Sequence, residues 1–182
     1  HIKPGTQNRF NLSTQPENAL RYVGELFSEI LKQHGIPVKG AGIRQTIIDN
    51  RLTLVYTHHN SSSLKMVLSG LLKYSNNFIA NQIYLVAGAE NKGYPATLTK
   101  ARSAFETLYQ EKFPGQVGQM IIDEASGISR KNRMSARAMM AILEQFRPHS
   151  ELLDWKKGAL LKSGTLTGIY NYAGYLKTSS GY

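Results

Sequence analysis

Two short polar motifs carry residue types that can bind a carboxylate, relay a proton and stabilise an oxyanion. The first, at residues 162–165, is Lys-Ser-Gly-Thr. On a β-strand, Lys162 and Gly164 would share one face, with Ser163 and Thr165 on the other. The Lys162 ammonium could hold a substrate carboxylate, and Gly164 would let a substrate backbone lie close to the strand. The N–H of Thr165 could help to stabilise an oxyanion.

The second motif, at residues 75–77, is Ser-Asn-Asn and falls in a short break between two predicted helices. Ser75 offers a hydroxyl for proton relay, and Asn77 offers an amide that could hold a second group or a substrate amide. Each motif also fits an ordinary structural role. Ser and Asn are good helix caps, and residues 162–165 alone could be a glycine-containing strand with a surface lysine.

Hydrophobic periodicity predicts the elements that must position these motifs. Helices are predicted from Pro16 to Gly35, from Leu64 to Tyr74, from the Ser-Asn-Asn motif to about Ala87 with Gly88 closing it, from Thr97 or Thr99 to about Lys112, and from Ser135 to about Phe146, with Pro148 ending it. Strands are predicted at residues 43–48, 52–58, 120–122, 159–165 and 169–177, the last two as an antiparallel pair, and residues 123–133 are predicted to be a polar loop. The pattern predicts an α+β fold, a helical cluster packed on an antiparallel sheet, with the site between them.

Composition excludes several classes of protein. The 182 residues contain no cysteine, which excludes a disulfide framework and a thiolate metal site. No apolar run approaches the roughly 20 residues of a transmembrane helix. The net charge of +10 comes from scattered Lys and Arg, densest at residues 130–133. This distribution does not favour nucleic-acid binding, and it is compatible with attraction to an anionic cell-wall polymer.

Three blocks of sequence, taken in order, carry a family resemblance. They are residues 74–81, residues 124–135 and residues 161–168 with the following 172–175. Together they resemble the D-alanyl-D-alanine carboxypeptidases and endopeptidases of the low-molecular-mass class C penicillin-binding proteins. The likeness covers residues 58–182 well and the preceding helix loosely. Three positions depart from the family pattern: Ser163 replaces a threonine, and Glu124 and Ala125 replace Asp and Gly in the middle block.

The resemblance implies a β-lactamase/transpeptidase-like fold and an extracytoplasmic or periplasmic serine peptidase. Its substrate would be the D-Ala-D-Ala end, or a D-amino-acid crosslink, of peptidoglycan stem peptides. The reaction would pass through an acyl-enzyme that β-lactams mimic, with no metal or cofactor. The implied roles are proton relay for Ser75, orientation of a lysine amine or substrate amide for Asn77, charge at the cleft for Lys162, contact with the substrate carboxylate for Ser163, close approach for Gly164 and half of the oxyanion hole for Thr165.

The nucleophile that the resemblance requires is missing from its expected place. The family acylates the serine of a Ser-x-x-Lys motif, and only Ser62 and Lys65 match those letters here. About ten helical residues would separate Ser62 from Ser75, or ~15 Å, which is too far for one site. In the family the nucleophile lies further upstream. Residues 1–182 are therefore expected to be a partial penicillin-binding domain that lacks the nucleophile helix and is inactive alone.

Two other functions remain open from the sequence. The first is a non-catalytic cell-wall-binding or scaffold protein that keeps the same groove, and the second is a basic nucleic-acid binder. A metal site is disfavoured, because His58 and His59 are adjacent and would diverge on a strand, with no carboxylate at a ligand spacing.

Overall fold

The computed structural model describes residues 15–40 and 53–179, and the chain divides into two compact units, residues 1–58 and 59–182. In the first unit, helix α1 spans Pro16–Gln33, which confirms the predicted amphipathic helix. The predicted strand at 43–48 lies outside the described residues. The strand predicted at 52–58 is wrong for residues 53–58, which form no strand and are exposed. Val55 is 93% exposed. The residue types there favour a strand, but within the described residues they have no neighbouring strand to pair with.

Four α-helices dominate the second unit. They are α2 (Leu64–Tyr74), α3 (Asn77–Lys92), α4 (Leu98–Lys112) and α5 (Ala136–Phe146). Each begins after a residue whose side-chain oxygen accepts a backbone N–H from the first turn. These caps are Ser63, Asn76, Thr97 and Ser135. The predicted bounds of α2 are confirmed at both ends, and Ser135 caps α5 as predicted.

Helix α3 extends one turn further than its sequence pattern predicts. Gly88 does not close the helix; it lies buried inside α3, which continues to Lys92. A Cβ atom at Gly88 would lie 2.4 Å from the Cα of Ala101 on α4. The glycine therefore allows α3 and α4 to approach closely. The prediction that Gly88 ends α3 was wrong because the glycine is required for helix packing.

The strands form two small antiparallel sheets. β1 (Met120–Ile121) pairs with β2 (Arg133–Met134), which lies at the end of the predicted polar loop. The second sheet has the order β3 (Asp154–Lys156), β4 (Ala159–Leu166), β5 (Ile169–Leu176). The predicted pair is thus confirmed, and β3 adds a third strand to it. Pro148 ends the α-helix as predicted, although a 3-10 stretch, Arg147–Leu152, continues from it.

The core of the second unit lies between α4, α5 and the β1–β2 ladder. Its buried members are Tyr109, Met120 and Ala138, with partly buried Phe105, Phe113, Ile122, Met134 and Ile142 packed against them. The larger sheet is attached to this layer through Tyr175 on β5, whose hydroxyl donates to the Leu143 carbonyl of α5 at 2.5 Å. This contact fixes which face of the sheet meets the helices, and Lys162 projects from the same face because β4 and β5 pair in register.

Candidate functional site

The junction between α2 and α3 consists of Ser75 and Asn76. Ser75 has left-handed backbone angles, φ 50° and ψ 53°, an uncommon conformation for a residue other than glycine, and it ends α2. Asn76 caps α3, and its side-chain oxygen accepts the Ile79 N–H at 3.1 Å. The left-handed turn changes the chain direction within one residue. It leaves the Ser75 side chain exposed at the point where the two helices meet.

Lys162 reaches this junction from the sheet. Its Nζ donates to Ser75 Oγ at 2.6 Å and to its neighbour's carbonyl, Ser163 O, at 3.0 Å. Strand β3 pairs with β4 only from Ala159 to Leu161, so Lys162 is the first residue of β4 beyond that partner. The predicted convergence of the two motifs is therefore what the structure shows. An ammonium and a hydroxyl at this distance form a pair through which a proton can pass.

The electrostatic surroundings lower the pKa of the Lys162 amine. Burial lowers the pKa of its amine below the ordinary value, and the nearby Lys156 ammonium lowers it further, while Asp154 opposes both effects. Lys156 and Asp154 form their own ion pair, with Nζ and Oδ2 3.2 Å apart. A lysine with a lowered pKa gives up its proton more readily, as a residue in a proton relay must.

The other predicted site residues lie near this pair in different ways. Within the described residues, Asn77 is exposed in the first turn of α3 and makes no hydrogen bond to Ser75 or Lys162. Ser163 and Thr165 stand opposite Tyr172 and Tyr170 on β5, on the face of the sheet away from Lys162. Their roles toward a substrate stay predictions.

The structure gives a reason for glycine at position 164 that the sequence did not indicate. It pairs across the ladder with Asn171, and a Cβ at position 164 would lie 2.4 Å from Asn171 Oδ1. The space beside the glycine is therefore occupied by the Asn171 side chain. The predicted approach of a substrate backbone at Gly164 would use the strand edge or require Asn171 to move.

The β1–β2 loop (residues 122–132) contacts α3 and the turn between β4 and β5, and many hydrogen bonds connect its own residues. Asn132 Oδ1 accepts the N–H of Asp123 at 2.6 Å, and its amide donates to the Glu124 carboxylate at 2.9 Å. The same carboxylate accepts the N–H groups of Ser126 and Ser129, at 2.8 and 3.1 Å, and the hydroxyl of Ser126. Burial raises the pKa of Glu124, but the hydrogen bonds from Ser126, Ser129 and Asn81 outweigh it and lower the pKa to about 2.

Four side chains connect the loop to its neighbours, among them Tyr84 on α3, whose hydroxyl donates to the Ile122 carbonyl at 3.2 Å. Asn81 on α3 accepts the N–H groups of Ala125 and Ser126, at 2.9 and 3.2 Å. Arg102 on α4 forms an ion pair with Asp123 at 2.8 Å. At the far end, Arg130 donates to the carbonyl of Thr167, in the turn between β4 and β5, at 2.7 Å. The loop thus links the helix that follows Ser75 to the hairpin that carries Lys162.

The structure also agrees with the expectation that Ser62 and Ser75 cannot share one site. Helix α2 is continuous from Leu64 to Tyr74, so it separates Ser62 from Ser75 as expected. Lys65 pairs with Glu151, with Nζ and Oε1 2.9 Å apart, and is not directed at Ser62. In the described ranges, no three His, Asp or Glu side chains are grouped as metal ligands would be. Nor does any helix within those ranges have the length and apolar content that crossing a bilayer requires.

The contacts made by Asn81, Arg130, Asn132 and Asn171 were not predicted from the sequence. Asn81 lies four residues after Asn77, so helical spacing alone places the two on one face of α3. The contacts of Arg130 and Asn132 depend on the path of an irregular loop, which residue spacing does not determine.

Comparison with solved structures defines the class of fold. The chain superposes on penicillin-binding protein 4 from Haemophilus influenzae, in complex with a novel β-lactam, with a TM-score of 0.71 and 21% identity, covering 91% of this chain and 43% of that one. A second crystal structure of the same protein gives a TM-score of 0.57 and 22% identity, over 63% of this chain and 30% of that one. The helices and antiparallel sheets thus form part of a transpeptidase-like α+β fold, as predicted.

Sequence comparison then identifies the family. A model of the D-Ala-D-Ala carboxypeptidase 3 (S13) family matches residues 4–159, and the chain belongs to that family. It is 24% identical to the D-alanyl-D-alanine carboxypeptidase DacB of Haemophilus influenzae, over 94% of this chain, and 29% identical to a D-alanyl-D-alanine carboxypeptidase of an Actinomadura species, over 71%. It spans 40% and 25% of those two relatives. The predicted family is confirmed, while the strand motif at 162–165 lies just beyond the range that the family model matches.

Proposed function

We propose that this chain forms one side of the acyl-transfer site of a serine D-Ala-D-Ala carboxypeptidase that acts on peptidoglycan stem peptides and is inhibited by β-lactams. The observation that carries the proposal is the hydrogen bond from Lys162 to Ser75, made within a chain of the S13 family. The names of the similar carboxypeptidases and the β-lactam complex of the similar structure support the substrate and inhibitor class. An extracytoplasmic location follows from a substrate in the cell wall.

The reaction would proceed through an ester. The oxygen of a nucleophilic serine would bond to the carbonyl carbon of the penultimate D-Ala, and the terminal D-Ala would leave with a proton on its amine. Water would then hydrolyse the ester, which releases the shortened peptide and restores the serine hydroxyl. We place that serine on a Ser-x-x-Lys segment outside these residues, because Ser62 is separated from Ser75 by α2.

The residues of this chain would serve the first step. Ser75 and Lys162 would relay the proton from the nucleophile to the leaving amine, helped by the lowered pKa of Lys162. Asn77 would orient the lysine of the nucleophile motif or the substrate amide. Ser163 would contact the substrate carboxylate, and the N–H of Thr165 would complete an oxyanion hole along the β4 edge.

Labelling of the complete protein with a fluorescent penicillin tests this function. We expect one covalent label on a serine outside residues 1–182, blocked by excess unlabelled penicillin, and release of D-alanine from a stem-peptide substrate. The 182-residue chain alone should take no label. A complete protein that takes no label and releases no D-alanine would favour the non-catalytic cell-wall-binding alternative, and a label on Ser62 would contradict the placement of the nucleophile.

A further inference from the structure

The first turns of α3 present two amides on one face. Asn77 belongs to the candidate site, and Asn81 follows it by one helical turn, the spacing at which side chains share a helix face. The Asn81 oxygen accepts two successive backbone N–H groups, those of Ala125 and Ser126, at 2.9 and 3.2 Å. A loop held by two adjacent N–H groups is fixed in orientation as well as in distance. Asn81, together with Tyr84, which donates to the Ile122 carbonyl at 3.2 Å, therefore sets where the β1–β2 loop lies relative to Asn77.

Internal hydrogen bonds make the β1–β2 loop rigid. Its ends are closed by the pairing of Ile121 with Arg133, and Asn132 bonds to the backbone and the carboxylate of Glu124. A displacement imposed near Ala125 would therefore be transmitted through the loop instead of being absorbed by it.

The far end of the loop holds the hairpin that carries Lys162. Arg130 donates to the Thr167 carbonyl at 2.7 Å, one residue after β4 ends. Two connections thus join α3 and its preceding junction to β4: the direct Ser75–Lys162 hydrogen bond, and the path from Asn81 through the loop and Arg130. Both the Lys162–Ser75 and the Arg130–Thr167 hydrogen bonds are exposed, and one such bond contributes too little to fix a strand by itself, so the position of β4 depends on both connections.

We propose that Asn81 is a positioning residue for the acyl-transfer site: by fixing the β1–β2 loop to α3 it holds β4 at the place where Lys162 meets Ser75. This inference rests on the proposed function. It predicts that loss of the Asn81 oxygen slows acylation without weakening initial binding, because the reacting groups are misplaced and the binding surface remains.

The test compares Asn81→Leu with Gln82→Leu in the complete protein. Gln82 is an exposed amide one residue further along α3, so the second variant makes the same chemical change away from the loop. For Asn81→Leu we expect the fluorescent-penicillin acylation rate at saturation to fall about 10- to 100-fold, with half-saturation changed less than about threefold. Hydrogen exchange at the Ala125 amide should become faster, while the Ser126 amide keeps its 2.8 Å hydrogen bond to the Glu124 carboxylate and should change less. Gln82→Leu should match the wild type in all three measurements.

Two outcomes would overturn the positioning role of Asn81. Faster exchange at the Ala125 amide with an acylation rate within about twofold of wild type would overturn the positioning role. If Asn81→Leu does not fold, Asn81→Ala decides, since it removes the same oxygen without adding bulk. We expect its acylation rate to fall about 10- to 100-fold, and a rate within about twofold of wild type in a folded Asn81→Ala protein would overturn the proposal.

A wild-type protein that takes no label contradicts the proposed function rather than the positioning. The positioning is then measured from the NMR resonance of the Lys162 side-chain amine. The Asn81→Leu substitution must shift this resonance and Gln82→Leu must not, and an unshifted resonance would overturn the proposal.

Discussion

Ser75 Oγ and Lys162 Nζ lie 2.6 Å apart although 87 residues separate them in the sequence. Neither residue type is unusual at its own position, since Ser75 ends a helix and Lys162 lies on a strand. Their contact depends on the left-handed turn at Ser75 and on the pairing of β4 with β5, which directs Lys162 to the face that Tyr175 packs on α5. Two independent local structures therefore meet at one point, and their contact makes the two motifs parts of one candidate site.

Replacing Lys162 with methionine should remove most of the acylation. The change keeps the length of the side chain but removes the ammonium that donates to Ser75 and would stabilise charge in the transition state. We expect the rate of fluorescent-penicillin acylation of the complete protein to fall about 100-fold or more. Lys92→Met, at the exposed end of α3, is the matched control and should react at the wild-type rate. Equal rates for the two variants would remove Lys162 from the mechanism.

The pKa of Lys162 should respond to its two charged neighbours in opposite directions. Lys156→Gln removes a like charge and should raise the pKa of Lys162, while Asp154→Asn removes an opposite charge and should lower it. The pKa values can be measured by NMR titration of the lysine side chains. Because the folded state binds this proton less tightly than the unfolded chain, stability should rise with pH through the lowered pKa toward the ordinary lysine value. Shifts of the same sign in both variants would contradict this account.

How much of the molecule was predictable depends on whether local or tertiary forces set each feature. The bounds of α2 follow from its apolar spacing and its junction at Ser75, which are local. The end of α3 did not follow, because Gly88 is required by its contact with Ala101 on another helix. Strand β3 is three residues long, too short to show alternation. The contact between Ser75 and Lys162 was expected through the family resemblance, and spacing alone could not supply it.

The ionised Glu124 carboxylate should stabilise the β1–β2 loop at neutral pH and lose this effect in acid. Its pKa is lowered from 4.5 to about 2 in the folded chain, so its contribution is present above pH 4.5 and is lost as the pH falls through about 2. Glu124→Gln should cost about 1–2 kcal/mol near neutral pH, because N–H donors lose a charged acceptor. The difference in unfolding free energy between Glu124→Gln and the wild type should become smaller as the pH falls from 4.5 to 2.

Urea unfolding of both proteins across this pH range provides the measurement. Glu106→Gln changes an exposed carboxylate on α4 and serves as the control, with wild-type stability expected at each pH. A Glu124→Gln protein whose stability stays a constant amount below wild type at all pH values would show that the carboxylate charge is not what the loop requires.

The close contact of α3 with α4 predicts opposite effects for two glycine-to-alanine substitutions. A Cβ at Gly88 would lie 2.4 Å from Ala101 Cα, while one at Gly70, in the middle of α2, would meet nothing within 4 Å. Gly88→Ala should therefore push two helix backbones apart and cost about 1–3 kcal/mol. Gly70→Ala should instead gain about 0.5–1 kcal/mol, because alanine is the better helix former. Urea unfolding of the 182-residue chain measures both changes. Since helix propensity favours alanine equally at the two positions, the difference between the variants isolates the packing cost, and a Gly88→Ala protein as stable as Gly70→Ala would show that α3 and α4 do not approach as closely as described.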